Sequence, residues 1–338
     1  MWQRLVVVGA SAGGMHALPK LVSELGADFP APVLIVFHIG AYEVDLPARL
    51  NRSGGLRAQF AVDGATIEAG QIFLAPPDHH LLVDRDRLRL SRTARENFAR
   101  PAIDPLFRSA GYAYRHRAVG VLLTGRLDDG SVGLQAIKAY GGTAIVQDPA
   151  DAPYPEMPAS AIAAARPDYV LPLAEIPAVL RQLASTPAKP TVTTAAAERF
   201  SREDQMAMGR ATTIDTLNAI GSPSSLSCPE CGGAIWQIGD DDRPHYRCHT
   251  GHAFSTLNLA LGQEHAVEEA LWNAVRALEE KRALFERRAK AARSVSDERS
   301  AQELELSAKT TAEQLGVVRQ LVTAGSSTTR LDAQTASR

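Results

Sequence analysis

Cysteine is scarce in this chain: three residues in 338, all between Cys228 and Cys248. An odd number confined to one short stretch does not build a disulfide framework. A large excess of either charge is lacking too. The 36 Lys and Arg against 38 Asp and Glu leave a net −2, which gives no basic footprint for nucleic acid. No apolar run approaches the ~20 residues that span a bilayer. Arg4, the run Leu5-Val6-Val7-Val8 and Ala10-Ser11-Ala12 mimic a signal peptide. That run is shorter than the roughly 7–15 apolar residues of such a segment, and it makes better sense as a first strand. The chain is therefore expected in the cytoplasm, with no membrane insertion.

What is present is the composition of a globular protein, 45% apolar and 22% charged, at a length that predicts more than one region. Residues 1–183 alternate strand-like and helix-like segments. Strands are expected at Leu5–Val8, Val33–Phe37, Gln71–Leu74, Leu81–Val83, Val119–Thr124 and Thr143–Val146, and helices at Gly14–Leu25, Leu46–Asn51, Pro105–Tyr114 and Gly130–Ala139. Residues 81–90 read as a hairpin turning on charged residues. The expected fold class is α/β, a doubly wound, mostly parallel sheet with an antiparallel hairpin insertion. Residues 184–226 read as a linker with a short helix, and 227–256 as a small cysteine- and histidine-containing segment. Over 257–324 the apolar series Val267, Leu271, Ala274, Leu278, Lys281, Phe285 and Leu304, Ala308, Thr311, Leu315, Val318, Val322 both step by heptads. They predict a helical hairpin turning near Ser294–Asp297, or a coiled coil that makes a homodimer. Residues 325–338 read as a disordered tail.

The segment Gly9-Ala10-Ser11-Ala12-Gly13-Gly14 directly follows the first strand. A serine on such a turn holds its hydroxyl at the mouth of a sheet beside free helix amides, a setting suited to a nucleophile or to a phosphate. A dinucleotide site would need a carboxylate closing strand two, and His38 stands there; the glycine spacing is also wrong for it. An α/β-hydrolase would carry its nucleophile deep in the domain, with the acid and then the histidine following. Here a histidine closes the next strand, so a triad would run Ser…His…Asp. Neighbouring parallel strands bring their carboxyl ends to one edge, which puts Ser11 and His38 within reach of each other. After the strand Val119–Thr124, Asp128 and Asp129 offer two carboxylates, either of which could instead cap the following helix.

These residues resemble the catalytic domain of chemotaxis protein-glutamate methylesterases of the CheB type. The resemblance spans residues 4–183 and is carried by 6–14, His38, Phe73–Val83, Arg100–Ser109, Leu122–Gly130, Gln147-Asp148-Pro149 and Met157-Pro158. It implies Ser11 as nucleophile, His38 as base and Asp129, the acid directly before glycine, as third member. The implied reaction is hydrolysis of γ-glutamyl methyl esters on a receptor or other signalling protein through an acyl-enzyme, with glutamine deamidation by the same chemistry. A cognate methyltransferase is then an implied partner. No catalytic cofactor is implied. An oxyanion and substrate pocket is expected at Ala12, Gly13 and the Gly125–Leu127 turn, where Arg126 replaces the family's usual methionine. A receiver domain commonly precedes such catalytic domains, whereas this chain opens on catalytic strand one and is expected to lack it. The contrasting expectation is an inactive adaptor that docks receptor helices and binds partners through its C-terminal region.

Cys228-Pro229-Glu230-Cys231 and Cys248-His249-Thr250-Gly251-His252 form two knuckle-like pairs. The spacing points to a zinc-ribbon-like segment whose structural zinc is held by Cys228, Cys231, Cys248 and His252, with His245 in reserve.

Overall fold

The computed structural model describes residues 2–38, 45–188, 190, 193–194, 196–210, 213–239 and 244–335. The chain divides into two compact units, 1–259 and 260–338. In chain order the first unit carries β1 (Leu5–Ala10), α1 (Gly14–Leu25), β2 (Val33–Phe37), α2 (Leu46–Arg52), β3 (Arg57–Phe60), β4 (Gln71–Leu74), β5 (His80–Asp84) and β6 (Arg87–Ser91). It continues with α3 (Ile103–Tyr114), β7 (Ala118–Leu122), α4 (Ser131–Ala139), β8 (Thr143–Gln147), α5 (Glu156–Ala165), β9 (Tyr169–Leu171) and α6 (Ile176–Ser185).

Seven strands form one sheet in the order β3-β4-β2-β1-β7-β8-β9, with parallel pairing throughout. β5 and β6 make the antiparallel hairpin. The alternation within β1 explains the two layers of helices. Val6, Val8 and Ala10 join α1 and α6 in one apolar cluster. Leu5 and Val7 join α3, α4 and the hairpin in the other. Successive strand residues point to opposite faces, so a strand buried on both sides must be apolar at every position. Two edge strands, β3 and β9, lie outside the sequence expectation.

Beyond the sheet come α7 (Ala196–Ala207), α8 (Ile214–Asn218), β10 (Gly221–Ser227), β11 (Ala234–Ile238), β12 (His245–Cys248) and β13 (Ala253–Ser255). Within the stretch expected as a linker α7 is docked: Phe200 packs with Ala136, Ala139 and Tyr140, and the Tyr140 hydroxyl donates to Ala197 O at 2.7 Å. β10 to β13 form a four-stranded antiparallel sheet in sequential order. Its small core holds Cys228, Ile235, Tyr246, Cys248, Phe254 and Leu259.

The second unit is a helical hairpin made by α9 (Thr256–Ser294) from residue 260 onward and by α10, Glu298–Thr335. Val275, Leu315 and Val322 are buried in its seam, with Leu271, Leu278 and Val318 packed against them. Val267, expected on the stripe, is 60% exposed. Where a disordered tail was expected, α10 continues through Thr335; residues 336–338 lie outside the described residues. No described helix is long and apolar enough to cross a membrane.

Candidate active site and cysteine cluster

Ser11 sits one residue past β1, at the start of the turn into α1. Gly13 takes φ 82° there, a left-handed conformation that glycine adopts without steric cost. The Ser11 amide donates to Thr124 O at 3.0 Å, and the His38 amide donates to Ala10 O at 3.2 Å. These bonds fix both residues at adjacent strand ends. The Ser11 Oγ and His38 Nδ1 are 3.2 Å apart, and His38 Nε2 lies 2.8 Å from Asp129 Oδ2.

Asp129 is buried and every hydrogen bond it makes is accepted. Oδ2 also receives the Ile103 amide at 2.6 Å, while Oδ1 receives Asn97 Nδ2 at 3.0 Å and the Asp104 amide at 3.2 Å. Ile103 and Asp104 open α3, whose N-terminal amides favour negative charge. Gly9 makes this approach feasible, because a Cβ there would stand 2.5 Å from Ile103 Cγ2. Burial by itself raises the Asp129 carboxyl, but the His38 hydrogen bond and charge, with the Ile103 amide and Asn97, outweigh it and hold its pKa below the usual value. Its neighbour Asp104 goes the other way, raised well above the usual range by burial and then by the Asp129 charge. Environments that split two carboxyls in this way leave one anion, on Asp129, facing the imidazole. An anion at Nε2 selects the tautomer with its proton there, so Nδ1 is free to accept from the serine.

Asp128 is turned away. Its Oδ1 accepts from Ser255 Oγ at 2.8 Å and Asn258 Nδ2 at 2.5 Å, and burial raises its pKa despite those bonds. The capping role open to either aspartate belongs to Asp104, whose Oδ1 receives the Gly130 and Gly133 amides at 3.0 and 2.6 Å. In the expected oxyanion region the Gly125 amide is spent on Tyr154 O at 3.0 Å. Among the described residues the amides of Ala12, Gly13 and Arg126 make no hydrogen bond. The exposed Arg126 guanidinium lies 5.1 Å from the centre of the Tyr154 ring.

Cys228, Cys231, Cys248 and His252 bring their ligand atoms within 4.8 Å of one another. A tetrahedral zinc with Zn–S near 2.3 Å and Zn–N near 2.0 Å has S···S edges of about 3.8 Å and S···N edges of about 3.5 Å. The Cys231–Cys248 sulfurs are 3.9 Å apart, and His252 Nδ1 lies 3.7 and 3.5 Å from Cys228 and Cys248 Sγ. His252 Nε2 is 3.3 Å from a Glu230 oxygen, the outer partner that metal-bound imidazoles commonly have. The donor set fits the ion. His245 lies elsewhere, its Nε2 2.9 Å from Glu203 Oε2.

A buried charge network lies where the small sheet meets the α/β layers. Arg108 of α3 makes a two-pronged pair with Glu96 at 2.8 and 2.9 Å. Arg247 of β12 reaches Glu96 at 3.0 Å and Glu203 of α7 at 3.5 Å. Burial opposes ionisation of both acids, but Arg108 and Arg247 hold Glu96 far below its usual value. His245, Arg108 and Arg247 hold Glu203 at about 2. Glu96, Asn97, Glu203 and Arg247 were not among the residues the sequence singled out, and Arg108 fell within the Arg100–Ser109 stretch with no role assigned to it. Arg95–Ala99 has no periodicity, and the partners come from four separate elements.

The sequence matches the CheB methylesterase family over residues 6–180. A protein-glutamate methylesterase/protein-glutamine glutaminase of Anaeromyxobacter dehalogenans is 39% identical over 180 residues, 53% of each chain. A Leptospira interrogans protein is 41% identical over 173 residues, which cover 51% of this chain and 90% of that one. The crystal structure of the Thermotoga maritima CheB methylesterase catalytic domain matches with a TM-score of 0.51 and 34% identity, covering 53% of this chain and 98% of that one. The chain thus spans nearly all of that catalytic domain and about half the length of the Anaeromyxobacter protein.

Proposed function

This chain belongs to the CheB methylesterase family, and on that premise we propose that it is a cytoplasmic enzyme hydrolysing glutamate γ-methyl esters on chemoreceptor-like signalling proteins. The observation that carries the reading is the Ser11–His38–Asp129 relay, 3.2 and 2.8 Å across its two links. Ser11 Oγ attacks the ester carbonyl while His38 Nδ1 takes the hydroxyl proton, and the Asp129 anion stabilises the imidazolium. The Ala12, Gly13 and Arg126 amides are the donors free to hold the oxyanion. Methanol is a poor leaving group, so the His38 proton goes to the departing oxygen as the C–O bond breaks. Water then attacks the acyl-enzyme with His38 as base, returning Ser11 and releasing glutamate. A glutamine side chain enters the same cycle with ammonia leaving. A cognate methyltransferase would form the ester consumed here. A pure adaptor would need none of these groups in register.

The zinc reading is structural. Cys228, Cys231, Cys248 and His252 would fill all four positions of one zinc and leave none for a substrate. In so small a sheet, metal binding would be much of the folding energy.

Release of labelled methanol from methylated receptor, with Ser11→Ala beside the wild type, tests the hydrolase. Loss of about 10⁴-fold or more in kcat is expected, and equal turnover by the two proteins overturns it. Metal analysis of the purified chain should find one zinc per molecule; near-zero zinc, unchanged after incubation with the ion, overturns that reading.

A further inference from the structure

Asn97 connects the catalytic acid to the cysteine sheet. Its Nδ2 donates both hydrogens, one to Asp129 Oδ1 and one to Asp104 Oδ2, each at 3.0 Å. Its Oδ1 accepts from the Ser255 amide at 2.9 Å. A backbone N–H can only donate, so the oxygen must face Ser255 and both donors must face the Asp129 and Asp104 carboxyl groups. The main chain is held in the same way. The Asn97 amide donates to Ala253 O at 2.8 Å, and the Ala253 amide to Arg95 O at 3.3 Å.

β13 therefore grips residues 95–97 through backbone and side chain together. It begins directly after His252, whose carbonyl accepts the Cys248 amide at 2.8 Å. The grip is needed, because Asn97 and Phe98 both take left-handed conformations, φ 51° and 60°. Consecutive non-glycine residues there are strained and persist only where neighbours enforce them. The Phe98 ring lies against Phe254 of β13, centre to centre 5.0 Å. The chain neighbour of the catalytic acid is tied to the same place, since Asp128 accepts from Ser255 and Asn258.

We propose that Asn97 is a positioning residue for Asp129, and that the metal-binding sheet sets its position through β13, so that metal occupancy governs the rate of the chemical step. The second half rests on the zinc reading given above. The Asn97 side chain hydrogen-bonds to neither Ser11 nor His38; its partners are Asp129, Asp104 and Ser255. It acts by holding Oδ1 of Asp129, and with it the carboxylate plane that aligns His38.

The test is kcat and KM of the full-length protein on a synthetic peptide carrying a glutamate γ-methyl ester, with zinc content and thermal unfolding measured in parallel. Asn97→Leu keeps the volume but removes the donors. A drop of about 10- to 100-fold in kcat with KM within twofold is expected, as for other outer partners that orient a reacting group. Stripping zinc from the wild type should give a similar drop, reversed by adding zinc back. Stripping it from Asn97→Leu should add little, because the two losses share one route. Losses that multiply, a rise in KM with kcat retained, or an unchanged kcat in zinc-free wild type each overturn the coupling. If the chain binds no zinc at all, the zinc reading fails separately, and Asn97 still stands or falls on its own kcat. Should Asn97→Leu not fold, zinc removal and add-back on the wild type carry the same test without a variant.

Discussion

Between the seven-stranded sheet and its helices, side chains such as Leu34, Val36 and Phe107 are buried against one another with no polar atom to satisfy. Under the four-stranded sheet the buried contacts are charged. Glu96, Arg108, Glu203 and Arg247 have side chains no more than 4% exposed, and they link one loop with α3, α7 and β12. The difference follows from size. A seven-stranded layer has enough apolar area for non-directional burial to hold it. A sheet of nineteen residues in four strands does not, so it relies on directional partners: ion pairs beneath and, on the reading proposed above, a metal within. Apolar surfaces tolerate small slips, whereas paired charges fix one register. A support for Asn97 and Asp129 has to be of the second kind.

The largest effect is expected from neutralising one member of the network. Glu203→Gln leaves the shape and one acceptor for His245 but removes the charge facing Arg247 and Arg108. A buried pair broken on one side costs about 3–5 kcal/mol. The apolar counterpart is Leu34→Ala, which removes a fully buried side chain on the strand that His38 directly follows and costs about 2–5 kcal/mol through lost burial and a cavity. Denaturant unfolding gives both sizes. Methyl ester turnover at a temperature where both variants remain folded separates them: Glu203→Gln should lower kcat, whereas Leu34→Ala should not. A network that tolerates Glu203→Gln within 1 kcal/mol would not be what orients the small sheet.

A second effect, of opposite sign, comes from Asp204, the next residue of α7. Neither of its oxygens has a hydrogen-bond partner among the described residues, and burial pushes its pKa from 3.8 up to about 7. The fold therefore tolerates the protonated form. Its favourable contribution is complete below the unfolded value of 3.8 and is lost as pH rises through 7. Asp204→Asn should match wild-type stability near pH 4 and exceed it progressively above that, by about 2–4 kcal/mol at pH 8. Denaturant titrations at both pH values check it, and a gain of equal size at both would assign the effect to packing rather than to charge.

The sequence made the central sheet legible because strands buried on both faces are continuous apolar runs; β2 and β4 have the expected limits, and β1 extends two residues further. The edge strands β3 and β9 were missed for the converse reason: Arg57-Ala58-Gln59-Phe60 and Tyr169-Val170-Leu171 are short and half exposed, so no run marks them. Ser11 and His38 were legible because each directly follows an apolar strand. Between Asp128 and Asp129 the local residues could not choose, because the choice is made by Ile103 and Asn97 on one side and by Ser255 and Asn258 on the other, up to 130 residues away in sequence. The docking of α7 was hidden because the Ala, Thr, Pro and Ser of about 184–198 describe a solvated linker equally well, and its anchors are single residues such as Phe200. In the hairpin the α10 stripe was read closely, while on α9 Val275 is buried in place of Ala274, one residue round the helix.

The smallest effect is expected at the solvent-exposed surface of α9. Arg276 and Glu280 of α9 pair at 3.1 Å, one turn apart, with side chains 66% and 65% exposed. The geometry is as good as that of Arg247 with Glu96, but water surrounds both groups and screens them. Such pairs contribute about 0.3–0.5 kcal/mol, and the alanine introduced by Arg276→Ala is itself a better helix former. Arg276→Ala should therefore leave the unfolding midpoint of the full chain unchanged within about 0.5 kcal/mol, and methyl ester turnover untouched. A loss approaching that of Glu203→Gln would mean that pair geometry, rather than exclusion of water, sets the value of a charge in this molecule. The contrast drawn between its two kinds of interior would then have no physical basis.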